Sequence, residues 1–112
     1  MSINREDRRA AVAAWKERKP APGIFAVRCT ATGQCWVGRA PDVTTVWNRL
    51  GFTLARGSHL QRGLQDAWHR HGAAAFQFEA LEIVEEEIES VRDRLLKNRL
   101  AHWRAALAAD LV

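Results

Sequence analysis

Two short runs dominate the folding choices of this chain: Gly23-Ile24-Phe25, and Trp36-Val37-Gly38 beginning thirteen residues after Gly23. Both are apolar, β-branched or aromatic, and the stretch between them passes through a short polar turn around Gly33. That pattern predicts a β-hairpin with a loop of roughly three to five residues, not a tight two-residue turn. The outer glycines, Gly23 and Gly38, mark places where another backbone or a ligand comes close. Cys29 and Cys35 lie symmetrically about Thr32, which allows them to face one another across the strands. Two cysteines make an incomplete zinc site, so packed, reduced thiols are expected in preference to a disulfide or metal pair.

The hairpin organises what flanks it. Residues 4–19 read as a helix, with Asn4 as cap, alanines and Trp15 along it, and Lys16, Arg18 and Lys19 towards its end. Pro20-Ala21-Pro22 stops that helix, giving an N-terminal segment over 1–22 and a main domain over 23–112. Asp42 is expected to cap a next helix with Val43, Val46, Trp47 and Leu50 on its apolar face, and 51–57 reads as a linker. Ser58 then caps a helix to His71, with Leu60, Leu64, Ala67 and Trp68 apolar and Gly72 stopping it in the left-handed region. His69 and His71, two apart, point in different directions on such a helix and make no ligand pair. Phe76, Phe78 and Ala80 alternate with polar and larger residues as in a half-buried strand. Glu85-Glu86-Glu87 opens a last long helix running to the end, its acidic first turn complementing the dipole.

With 112 residues and 47% hydrophobic composition, one domain with a modest core is expected. No run approaches the ~20 apolar residues of a membrane span, no export signal opens the chain, and the two cysteines suit a reducing cytoplasm. Net charge is +4, unevenly spread. Residues 1–78 hold 12 basic and 5 acidic side chains, a net of +7, while 79–112 hold 5 and 8, a net of −3. Fourteen of the 17 cations are arginine, suited to bidentate phosphate contacts and base stacking, although a coding bias toward arginine and alanine gives the same composition.

The ordered succession Gly-Ile-Phe, Trp-Val-Gly, Arg56-Gly57-Ser58-His59, the segment Leu64 to Gly72, and Phe76-Gln77-Phe78-Glu79 resembles the GIY-YIG nuclease family along most of residues 23–84. The resemblance implies an α+β fold of order β-β-α-α-β-α around a three-stranded antiparallel sheet, here with an extra N-terminal helix. It implies phosphodiester cleavage assisted by Mg²⁺ or Mn²⁺, with functional positions at Gly23, Phe25, Trp36, Gly38 and Val46. His59 falls on a histidine used by the homing-endonuclease branch. The family's metal-binding glutamate maps to Leu100 if Trp103 is the aromatic that follows it, or to Leu95 by an ungapped count, near Asp93. The chain has no tyrosine. Phe25 keeps a ring without the oxygen, Trp36 offers only an N–H donor, and the usual arginine is Val46.

Three functions follow. In the first, the domain binds nucleic acid, DNA in preference to RNA, but is catalytically impaired; Arg28, Arg39, Arg49, Arg56 and Arg62 grip phosphates and Trp36 stacks on a base. In the second, it is a divergent nuclease using His59 as base, Arg39 or Arg49 on the phosphate, and Asp93 or Glu82 on a metal. In the third, it is a protein-interaction or homodimerisation module carrying exposed tryptophans. No membrane partner is expected.

Overall fold

The computed structural model describes residues 20–112, so the helix expected over 4–19 lies outside the described residues. Strands β1 (Gly23–Cys29) and β2 (Cys35–Ala40) form the expected hairpin, followed by helices α1 (Val46–Ala55) and α2 (Arg62–His71). Strand β3 (Phe76–Ile83), helix α3 (Glu89–Ala106) and a short strand β4 (Asp110–Leu111) complete the chain. The fold is α+β, and β1, β2 and β3 make the antiparallel sheet, with β1 in the middle. Beyond the three expected strands, β4 adds a fourth, pairing parallel to β2 through Trp36 and Val37. Ala108, at φ 49°, turns the chain out of α3 so that the Val112 N–H reaches the Val37 carbonyl at 2.9 Å.

Strand parity explains the two layers. From β1, Phe25, Val27 and Cys29 point into a core with Val46, Leu50 and Leu54 of α1 and Leu64 and Ala67 of α2. Ile24 and Ala26 point the other way, against Leu96, Leu100 and Trp103 of α3 and Leu107 and Ala109 beyond it. Covered on both sides, β1 is apolar from Gly23 to Val27. Arg28 stands opposite Cys35, and the Cys29 N–H donates to the Gln34 carbonyl, so the cysteines are offset by one residue. Both thiols are free, Cys29 buried and Cys35 half-buried.

Several element boundaries differ from expectation, each for a local reason. Asp42 caps no helix: its Oδ1 accepts from the Thr44 N–H and hydroxyl (3.0 and 2.6 Å), holding a turn, and α1 starts at Val46. The expected linker from Gly51 is the second half of α1, because burying Leu54 outweighs the roughly 1 kcal/mol a mid-helix glycine costs. Ser58 also caps nothing; its hydroxyl donates to the Thr53 carbonyl, and Gln61, whose Oε1 accepts from the Leu64 N–H at 3.2 Å, caps α2. Gly72 ends α2 at φ 77°, ψ 166°, a positive-φ extended conformation and not the expected left-handed helical one. Glu85, Glu86 and Glu87 precede α3, where Glu86 Oε1 accepts from the Ile88 N–H.

Candidate nucleic-acid interface

The motif residues come together in the middle of the sheet, as their spacing requires. Phe25 stands directly opposite Gly38 on the neighbouring strand. A Cβ at Gly38 would lie 2.7 Å from Phe25 Cζ, so the glycine makes room for the ring. At Gly23 the intruder is backbone: a Cβ there would lie 2.2 Å from the Glu82 carbonyl oxygen, beside the β1–β3 register shift at Ile24/Phe25. Both glycines therefore answer to protein packing.

The ring of Phe25 stacks on Phe78 at 5.6 Å, and Phe78 on Trp47 at 5.5 Å. Trp36 stacks on Phe76 at 6.3 Å, and Trp68 packs on the same Phe76 at 5.3 Å. Trp36, expected to stack on a base, is only 1% exposed, so its face is taken up by the core; this corrects that expectation. Its Nε1–H has no partner among the described residues. Val46 is buried in the same cluster and contributes packing where the family resemblance places an arginine.

The five arginines expected to grip phosphate divide between the two sides of the sheet. Arg28 and Arg39 belong to the α3 side. Arg28 Nη1 pairs with Glu79 of β3, and Arg39 Nη1 reaches the Asp93 carbonyl of α3 at 3.5 Å. Arg39 also lines a groove of about 1650 Å³ bordered by Glu85, Glu86, Glu87, Glu89 and Asp93, an anionic setting. Arg49, Arg56 and Arg62 lie on the helical side opposite: Arg49 exposed on α1, Arg56 at its C-terminal cap, Arg62 opening α2. None of these three forms an ion pair among the described residues, and the last turn of α2 adds His69, Arg70 and His71. The cationic surface is thus α1 with α2, and strand parity separates Arg28 and Arg39 from it.

His59 lies in the loop joining those helices. Its N–H donates to Gln65 Oε1 at 3.0 Å, its Nδ1 is 3.4 Å from Thr53 Oγ1, and its buried Nε2 has no partner among the described residues. Burial lowers its pKa, so the neutral imidazole is favoured at neutral pH. Gln65, unremarked in sequence, is the buried clamp of this loop: its Nε2 donates to the Leu54 carbonyl at 2.9 Å.

Of the two carboxylates considered for metal, Glu82 is already taken up by other partners. Glu82 receives Arg99 Nε on both oxygens (2.8 and 3.0 Å) and Trp103 Nε1 on Oε1 (2.9 Å). The Trp103 bond and the Arg99 guanidinium hold its pKa low against partial desolvation. A carboxylate so occupied fastens β3 to α3. Asp93 is exposed on α3, among Arg92, Arg94 and Lys97. Leu95 and Leu100, the mapped glutamate positions, pack on the core. Among the described residues no three His, Cys, Asp or Glu side chains converge as a metal site. Nor is any described helix long and apolar enough to cross a membrane.

No family model and no curated protein matches the sequence. Among solved structures, the chain is similar to the catalytic domain of the homing endonuclease I-TevI, at 28% identity and a TM-score of 0.68, over 78% of this chain and 88% of that one. A variant of the same catalytic domain, described as that of an intron endonuclease, matches at 27% identity and a TM-score of 0.68, over 79% of this chain and 84% of that one. With the Gly-Ile-Phe and Trp-Val-Gly runs on paired central strands, a likeness of this extent supports the resemblance to the GIY-YIG nuclease family.

Proposed function

We propose that this protein binds DNA through the α1–α2 side, with phosphate contacts from Arg49, Arg56 and Arg62, and that its capacity for cleavage is reduced. The observation that carries the reading is three exposed arginines on α1 and α2 without ion-pair partners among the described residues, on a fold similar to an endonuclease catalytic domain. Reduced cleavage is supported by Phe25, which lacks an oxygen, by the buried indole of Trp36, and by Val46 and Leu100 in the core. Hydrolysis needs a positioned base and stabilisation of developing negative charge, and these positions supply neither.

Fluorescence anisotropy with labelled duplex DNA, RNA and single strands at several salt concentrations tests the reading. Alanine at Arg49, Arg56 and Arg62 weakens duplex binding, and each lost contact reduces the log–log salt slope by about 0.9. Arg28→Ala leaves the slope unchanged, because Glu79 already occupies that guanidinium. Binding indifferent to all three helical substitutions refutes this surface.

One observation favours a second reading, a divergent nuclease. The His59 imidazole is held neutral by burial, the protonation state a general base needs, and its Nε2 has no partner among the described residues. That reading requires strand cleavage on a denaturing gel with Mg²⁺ or Mn²⁺ that disappears in His59→Ala.

A further inference from the structure

Leu60 is 95% exposed, the most exposed large apolar side chain among the described residues. A single exposed leucine is ordinary on a protein surface; the backbone around this one is not. Gly57, at φ 72°, turns the chain after α1 and donates to the Leu54 carbonyl at 3.1 Å. The Ser58 N–H donates to the Thr53 carbonyl at 3.0 Å, and the His59 N–H to the buried Gln65 side chain at 3.0 Å. On the other side, Gln61 is fixed as the cap of α2. Both neighbours of Leu60 are thus tied to the body by hydrogen bonds while its side chain stands in solvent.

Its surroundings select a partner. Arg62 follows two residues later in the exposed first turn of α2. Arg56 precedes it, its guanidinium 5.0 Å from the ring centroid of Phe52, itself 61% exposed. An apolar tip bracketed by cations fits a polyanion with an apolar interior, since phosphates meet the arginines while the tip leaves water. Stacking on the bases of a single strand calls for an aromatic face, which leucine lacks. Aliphatic side chains act instead as wedges between the stacked base pairs of a duplex, unstacking one step and bending it.

We propose that Leu60 is such a wedge, inserting at a base-pair step of duplex DNA when the α1–α2 surface engages the flanking phosphates. The inference rests on the DNA-binding reading above and adds to it insertion and unstacking at a base-pair step as the mode of contact.

The test uses the full chain and a set of labelled duplexes in which 2-aminopurine is tiled along one strand, reading anisotropy and 2-aminopurine emission in the same titration. Wild type is expected to raise the emission several-fold at a subset of positions as the anisotropy rises. L60A abolishes the emission change and weakens binding by up to about tenfold, whereas L60M, apolar and of similar reach, retains most of both. Circular dichroism of L60A confirms an unchanged fold. Anisotropy that rises without any emission change in wild type overturns the wedge and leaves DNA binding standing. Emission that rises equally in L60A also overturns it. No anisotropy change at low salt overturns both readings, so the two failures are distinguishable.

Discussion

Gly23→Ala probes the closest approach in the sheet. An alanine Cβ would lie 2.2 Å from the Glu82 carbonyl oxygen and 3.2 Å from Val43 Cγ1. Val43 can move by a few tenths of an ångström; the carbonyl belongs to β3 and moves only if the strand does. Overpacking a tight site costs about 1–3 kcal/mol, and an unyielding backbone neighbour puts this one at the upper end. Parting β1 from β3 at the register shift also gives up about one cross-strand hydrogen bond, roughly 1 kcal/mol net. The expected loss is about 3–4 kcal/mol, a large part of the ~5–15 kcal/mol typical of a domain. For a domain of this size the melting temperature then falls by roughly 12–30 °C.

Urea unfolding followed by far-ultraviolet circular dichroism measures this, with two other glycines as internal references. At Gly38 the obstacle is the Phe25 ring at 2.7 Å, a side chain with some freedom, so Gly38→Ala costs less, about 1–3 kcal/mol. At Gly51, within α1, an added Cβ would meet no other element among the described residues within 4 Å, and alanine there stabilises by about 0.5–1 kcal/mol through helix propensity. The order of stability is therefore Gly51→Ala, wild type, Gly38→Ala, Gly23→Ala. A Gly23→Ala protein within about 1 kcal/mol of wild type would refute the close approach as the reason for the glycine.

Two groups make stability depend on pH in separate windows. The folded-state pKa of Glu82 is lowered, first by the Trp103 bond, so its contribution is complete above the unfolded carboxyl value of about 4.3 and is lost as pH falls through the folded value. Urea midpoints between pH 2 and 6 should fall more shallowly in Glu82→Gln; an unaltered acid limb would show that the cluster with Arg99 and Trp103 is not coupled to folding. Burial lowers the pKa of His59, so stability is complete above the unfolded value of about 6.5 and declines as pH drops through the folded one. The imidazole resonances of His59 should titrate below those of an unstructured histidine, and His59→Gln should flatten stability just below neutrality; a His59 midpoint at or above 6.5 would contradict the burial argument.

Strand patterns were legible because a period of two is short and self-checking. The apolar run from Gly23 to Val27 and the alternation of Phe76 and Phe78 identify the central and outer strands, and the turn at Gly33 fixes how the hairpin closes. The same parity separates Arg28 and Arg39 from the helical arginines, but grouping cations by sign alone hides it. Helix starts were less legible because capping propensity is a local prior that tertiary hydrogen bonds override. Ser58 is the better cap by type, yet its hydroxyl serves Thr53, and Gln61 takes the role. That shift of the start of α2 moves Leu60 from an expected apolar helix face to the loop. Strand β4 has only two residues and depends on the end of α3 returning to β2, a tertiary event without a periodic signature.

The motif that carries the family resemblance is held in this chain by packing. Gly23 is required by the Glu82 carbonyl and Gly38 by the edge of Phe25, whether or not a phosphodiester is ever cut. The rings of Phe25 and Trp36 fill the layer between the sheet and the two helices, with Phe76, Phe78, Trp47 and Trp68 around them. A phenolic oxygen can be dropped from such a ring at little cost to packing, whereas removing the ring opens a cavity costing about 3–5 kcal/mol. Selection for folding alone therefore preserves the glycines and the aromatic character while leaving the oxygens free to vary. The glycine-and-aromatic pattern reports the fold, and activity must be judged from the oxygens, the arginine and the carboxylate that the fold does not need.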